Sequence, residues 1–148
     1  MVDNTALFAV AIPEIRGQEG CRLLAYQDQF GVWTIGWGDT GPGIVAGTRW
    51  TQQQADDAFL ARLNGFCAQL DAGIPWWRGL GLPRQAVLLS MAYQLGAAGL
   101  LAFHRTITAV EDGQYVQASE FMLESAWANQ TPARAKALSQ QMATGTIQ

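Results

Sequence analysis

Arg22-Leu23-Leu24-Ala25-Tyr26-Gln27-Asp28 and Val32-Trp33-Thr34-Ile35-Gly36-Trp37-Gly38 are two short runs rich in β-branched and aromatic residues. Asp28-Gln29-Phe30-Gly31 lies between them and carries turn chemistry, which predicts a β-hairpin. On its N-terminal side, Thr5 to Ile15 has helical spacing, with Asn4 or Asp3 able to cap its start and Gly20 to end it. Pro13 either kinks that helix or begins a second one at its first turn. On the C-terminal side, Asp39-Thr40-Gly41-Pro42-Gly43 is a second turn cluster, and Gly43 to Gly47 is expected to form a third short strand.

Helical sequence begins at Thr51. Thr51-Gln52-Gln53-Gln54 has the capping-box pattern, and Ala55, Phe59, Leu63 and Leu70 follow at helical spacing. This helix is long enough to bridge two lobes, and Gly73 and Pro75 stop it. Further helices are expected over 83–95, ended by Gly96, and over 103–110, 115–124 and 132–142. Strands followed by helices make an α+β protein, with a small hairpin lobe near residues 20–50 and a larger helical lobe from about 51 to 148 that takes in the N-terminal helix. A cleft between such lobes is a favoured ligand site.

The chain has 148 residues, 49% of them hydrophobic and 14% charged. That is one domain's worth of chain, rich enough in apolar residues to exclude disorder. Nine basic residues stand against twelve acidic ones, giving a net charge of −3 and a pI near 4.9. A nucleic-acid partner would call for a basic face, so none is expected. Two cysteines exclude a disulfide-dense scaffold, and Cys21 and Cys67 are expected as reduced thiols in a chain made in a cytoplasm. The apolar stretch from Ala6 to Ile12 lacks a basic segment before it and is too short to span a bilayer. No stable membrane insertion is therefore expected. The single histidine, His104, has no Cys or carboxylate cluster beside it, so no metal site and no cofactor are expected.

Glu19 and Asp28 bracket the first strand, and Thr34 follows on the second. Cleavage of a glycosidic bond needs two carboxyls, one protonated to donate to the leaving oxygen and one ionised to activate water. Leu23 and Leu24 would give Glu19 the apolar surroundings of an acid, while Asp28 lies in a better solvated turn. Two carboxylates beside a strand are more often solvated surface groups. The surrounding residues change those odds.

Glu19-Gly20 is followed by eight residues before Asp28 and five more before Thr34, and then by Thr34-Ile35-Gly36-Trp37-Gly38. This pattern resembles the phage lysozyme (endolysin) family typified by the lysozyme of T-even phages. Met91-Ala92-Tyr93-Gln94-Leu95-Gly96, with Gly99 and Phe103 after it, resembles the family too, as does Ala126-Trp127-Ala128-Asn129-Gln130-Thr131-Pro132-Ala133-Arg134-Ala135. The resemblance spans nearly the whole chain. It implies a lysozyme-like fold and hydrolysis of the β-1,4 bond from N-acetylmuramic acid to N-acetylglucosamine in peptidoglycan, with inversion. It implies Glu19 as general acid, Asp28 as base or electrostatic partner of the water, and Thr34 as the residue holding that water. Tyr93, Gln94, Thr40, Thr106 and Arg134 match positions that line the cleft or contact sugar, though Tyr93 at helical spacing also reads as core and Arg134 as a solvated face.

The chain also departs from the family. Asp39 stands where the best-known member has histidine, so an ion pair there is absent or different. Phe121 and Ala126 replace polar residues near the cleft. Trp127 is expected to pack the last helix. Cys21 lies two residues from Glu19, where pairing with Cys67 would make a switch and burial would make it a small hydrophobe. The implied partners are peptidoglycan glycan strands and a holin-type release protein, with a monomer acting on the wall in the periplasm. Other readings are a glycan-binding module that has lost catalysis, a wall-degrading phage-entry protein, or a toxin of the same fold.

Overall fold

A computed structural model describes residues 2–147. Helix α1 runs over Thr5–Gln18. Asn4 is its N-cap residue and makes no side-chain cap bond; Asp3, one residue earlier, accepts at Oδ1 from the Thr5 N–H at 2.9 Å and from its hydroxyl at 2.6 Å. The helix passes through Pro13 and ends before Gly20. Glu19 is already extended (φ −110°, ψ 138°), although its N–H still closes onto the Ile15 carbonyl at 3.1 Å. Leu7, Ala11 and Ile15, four residues apart, form the buried stripe that packs on the central helix over Leu82–Leu101.

Strands β1 (Arg22–Gln27) and β2 (Trp33–Gly36) pair antiparallel, with Tyr26 opposite Thr34 and Gln27 opposite Trp33. Gly31 closes the turn at φ +79°, a region open to glycine at no steric cost. The expected third strand over 43–47 is absent; that segment is a series of turns. The residues that reach β1 come later, because two turns hold the chain away from the hairpin first. Ala25 N–H donates to Thr48 O at 2.9 Å and Trp50 N–H to Leu23 O at 2.8 Å, with a single bridge between Leu24 and Arg49.

Helix α2 (Gln52–Gly73) starts with the predicted capping box: Thr51 Oγ1 accepts from Gln54 N–H at 3.1 Å, and Gln54 Oε1 accepts from Thr51 N–H at 2.8 Å. Its 22 residues span about 33 Å, enough to run from the hairpin into the helical bundle. Ala55, Phe59, Leu63, Cys67 and Leu70 are its buried stripe. A 3-10 turn over Pro75–Gly79 follows, which the sequence pattern did not reveal. It buries Trp77 completely, and the indole N–H donates to Asp71 at 2.8 Å. Arg78 grips Asp71 with two donors, at 2.8 and 3.1 Å, and reaches Asn4 at 2.7 Å, tying α1 to the end of α2.

Helix α3 (Leu82–Leu101) is the core element, with every residue from Gln85 to Tyr93 buried. Gly96 breaks it at φ +78°, as expected, but one further helical turn follows before the helix ends. Helices α4 (His104–Glu111), α5 (Tyr115–Leu123), α6 (Ala126–Gln130) and α7 (Pro132–Thr144) complete the bundle, α5 packing on α4 and α7. Arg84 caps the end of α7 through the carbonyls of Met142 and Ala143, at 2.8 and 3.1 Å. Trp127 is 3% exposed and packs edge-on against Phe103, the structural role expected of it. The result is the expected α+β fold, mostly helical with one small hairpin. Among the described residues, no single helix is long and apolar enough to cross a membrane.

Candidate active site

Asp28 is fixed by its own turn. Its Oδ1 accepts from the Phe30 N–H at 2.8 Å and from the Val32 N–H at 3.0 Å. Both bonds fall on one oxygen, and among the described residues Oδ2 has no hydrogen-bond donor. Thr34 is 5% exposed, and its hydroxyl donates to the Val32 carbonyl at 3.0 Å. A hydroxyl that donates once keeps its lone pairs for accepting. The Asp28 N–H donates to Val32 O at 2.9 Å, and Tyr26 pairs with Thr34. Asp28, Val32 and Thr34 therefore share one face of the hairpin, Asp28 and Thr34 as diagonal neighbours.

Glu19 sits where α1 gives way to β1. Of the leucines expected to surround it, Leu23 is half-buried and Leu24 is 46% exposed. Its partner is Arg134, whose guanidinium lies 3.4 Å from Oε1. Arg134 is not on a solvated face but 8% exposed, with a second donor 3.3 Å from Ser90 Oγ and its Nε buried without an acceptor. Glu19 Oε1 accepts from this buried guanidinium. Pairing of residues 115 apart carries no local sequence signal. Beside this pair lies a cavity of about 220 Å³ whose lining includes Glu14, Gln18, Ser90, Arg134 and Gln141.

The remaining candidates are dispersed. Tyr93 is 6% exposed, packs edge-on against Phe59 and Phe66, and its hydroxyl donates to the Trp37 carbonyl. Burial pushes its phenol up to about 12. The Gln94 carbonyl oxygen accepts from the Trp127 indole at 2.9 Å. Thr40 is exposed. Thr106 is buried, and with Phe103, Phe121 and Arg105 it lines a separate cavity of about 360 Å³. Arg105 stacks there over the Phe121 ring, 4.0 Å from its centre.

Asp39, in the position where a different ion pair was expected, has one with Arg62 at 3.5 Å. It is 8% exposed, and Oδ2 is buried without a donor. Burial holds its carboxyl above the usual range, with Arg62 opposing that shift. Arg62 also reaches Tyr93 Oη at 3.1 Å and the Trp37 carbonyl at 3.5 Å. Cys21 and Cys67 are both free, and burial pushes the Cys67 thiol up to about 11. Among the described residues no group of His, Cys, Asp and Glu side chains could hold a metal ion.

Comparison with known proteins bears on this arrangement. A stretch of 88 residues is 38% identical to the endolysin of Lactococcus phage c2, covering 55% of this chain and 36% of that one. A stretch of 71 residues is 27% identical to a probable T4-type lysozyme 1 of Dictyostelium discoideum, covering 48% of this chain and 42% of that one. A third, of 74 residues, is 31% identical to the pre-baseplate central spike protein of Enterobacteria phage T4, covering 50% of this chain and 13% of that much longer one. The matched stretches thus span less than half the length of these relatives. Residues 16–143, holding Glu19, Asp28, Thr34 and Arg134, match the phage lysozyme family, and the chain belongs to that family.

Proposed function

We propose that this chain is a muramidase that hydrolyses the β-1,4 bond between N-acetylmuramic acid and N-acetylglucosamine in peptidoglycan. One observation supports the reading: Asp28, on the hairpin face that also carries Thr34, is anchored through a single carboxylate oxygen. Glu19 donates a proton to the leaving glycosidic oxygen. Water on the opposite face of the sugar attacks the anomeric carbon, gives one proton to Asp28 and hydrogen-bonds to Thr34 through its other. Asp28 Oδ2 and the Thr34 lone pairs are the acceptors such a water needs. Attack from the opposite face inverts configuration, which calls for carboxyls about 6.5–9.5 Å apart. Arg134 beside Glu19 keeps that side chain in place. Tyr93, Gln94, Thr40 and Thr106 act in substrate binding or in shaping the cleft between a hairpin lobe and a helical lobe.

In the cell, the chain degrades host wall after release to the periplasm through a holin-type partner, as a monomer. Digestion of purified peptidoglycan tests the activity. New reducing ends on N-acetylmuramic acid are expected. Reducing ends on N-acetylglucosamine alone, or no cleavage, would overturn the reading. Glu19→Gln, assayed well below its melting transition, is expected to lose at least about 100-fold in rate, and its thermal midpoint should fall because buried Arg134 loses its charged partner.

A further inference from the structure

Two structural units must be held in register for this chemistry: the end of α1, which carries Glu19, and strand β2, which carries Thr34. Among the described residues no hydrogen bond links them directly. A single oxygen on α2 gathers a donor from each side. Asp56 Oδ1 accepts from Arg16 at 3.3 Å, from the Trp37 indole N–H at 3.0 Å and from Gln52 at 3.0 Å. Arg16 lies one helical turn before Glu19, and Trp37 lies three residues after Thr34. The Arg16 guanidinium also stacks over the Trp37 ring at 4.7 Å and over Phe59 at 5.1 Å. Trp37 itself is held from the other side, where its carbonyl accepts from Tyr93 and Arg62. The hydrogen bonds from Trp37 and Gln52 keep the Asp56 carboxyl below the usual range, so it is ionised when the site works.

We propose that Asp56 is a positioning residue: by gathering Arg16 and Trp37 on one carboxylate oxygen, it sets the placement of Glu19 relative to Thr34. The proposal rests on the muramidase reading. A purely structural role fits poorly, because the Arg16 and Asp56 side chains are 35% and 34% exposed, and such pairs add little stability. Small misplacements of reacting groups, by contrast, are costly to rate.

Asp56→Asn, Asp56→Glu and Trp37→Phe test this. Asn keeps an acceptor for the indole but loses the charge that holds Arg16. Phe keeps the ring but loses the N–H. For Asp56→Asn, kcat on purified peptidoglycan is expected to fall about tenfold or more. KM should stay within about twofold and the thermal midpoint within about 3 °C. Asp56→Glu should recover part of the loss. The double variant with Trp37→Phe should be less impaired than the product of the two singles, because each substitution opens the same junction between Arg16 and Trp37 at its other half. Backbone amide resonances of Glu19 and of Thr34, neither of which touches Asp56, should both move in Asp56→Asn. Unmoved amides at either residue, or a raised KM with unchanged kcat, would overturn the positioning role. If the wild type cleaves nothing, the muramidase reading falls by itself, and the amide resonances alone decide whether Asp56 sets the placement of the two elements.

Discussion

Asp28→Asn separates chemistry from turn formation at one carboxylate. The two bonds that build the turn fall on Oδ1, at 2.8 and 3.0 Å. An asparagine Oδ1 accepts from the same two N–H groups, so the hairpin geometry survives. What is lost is the charge assistance, a cost on the order of 1 kcal/mol. A chain of this size loses about 3 °C of thermal midpoint per kcal/mol. Loss of proton-accepting power at the proposed base is far larger, roughly 100- to 10,000-fold in rate, or about 2.7–5.4 kcal/mol of transition-state stabilisation. Asp28→Ala removes both turn bonds as well and should lower the midpoint by about 6–9 °C. The two variants should therefore melt apart yet be equally slow. Tryptophan fluorescence on heating reads the first property, and release of reducing ends from purified peptidoglycan the second. An Asp28→Asn protein that keeps more than about a tenth of the wild-type rate would refute the base assignment and leave Asp28 as a turn former.

Trp77→Ala should destabilise by about 3–5 kcal/mol, seen as a lower denaturation midpoint in urea, because a fully buried indole and its bond to Asp71 are lost together. Asp39 should make stability fall with rising pH. Its folded carboxyl titrates above the unfolded one, so its contribution is fully present below the unfolded pKa and is lost as pH rises through the folded pKa. Asp39→Asn should remove that component, and thermal midpoints at pH 4 and pH 7 that keep the wild-type difference would contradict it. Asp71 has the opposite sign: bonds from Arg78 hold its carboxyl below the usual range, so its contribution is present above the unfolded pKa and is lost as pH falls through the folded one. Asp71→Asn should flatten the acid limb of the stability profile. Activity should fall only mildly between low and physiological ionic strength, since the net charge is −3 and Arg16, Arg62, Arg78, Arg105 and Arg134 already have carboxylate partners. A steep loss of turbidity-clearing rate on permeabilised cells would show a basic patch centred elsewhere, because buried Arg134 offers none beside Lys136.

The acidic balance fits this picture. On the proposed muramidase reading the wall is anionic, so long-range attraction would be weak and binding would depend on short-range contacts. The six tryptophans divide by role. Trp77 and Trp127 are core, while Trp37 is a junction between α1, α2 and the hairpin.

The sequence by itself determined what depends on neighbours in the chain. The Thr51–Gln54 capping box, the Asp28–Gly31 turn and the break at Gly96 each close within a few residues, so spacing and residue type suffice. The motif around Glu19, Asp28 and Thr34 was legible for the same reason: its three members lie on one short hairpin and the helix end feeding it. Packing decided the rest. Thr48–Trp50 rather than 43–47 lies along β1, because the loop's turns set where it returns. Arg134 is buried against Glu19, Asp39 against Arg62, and Trp37 between Asp56 and Tyr93, over separations of 115, 23, 19 and 56 residues. A buried charge must find a countercharge, and a buried N–H an acceptor. Which residue answers is set by how α2, α3 and α7 pack around the hairpin, and no local pattern encodes that.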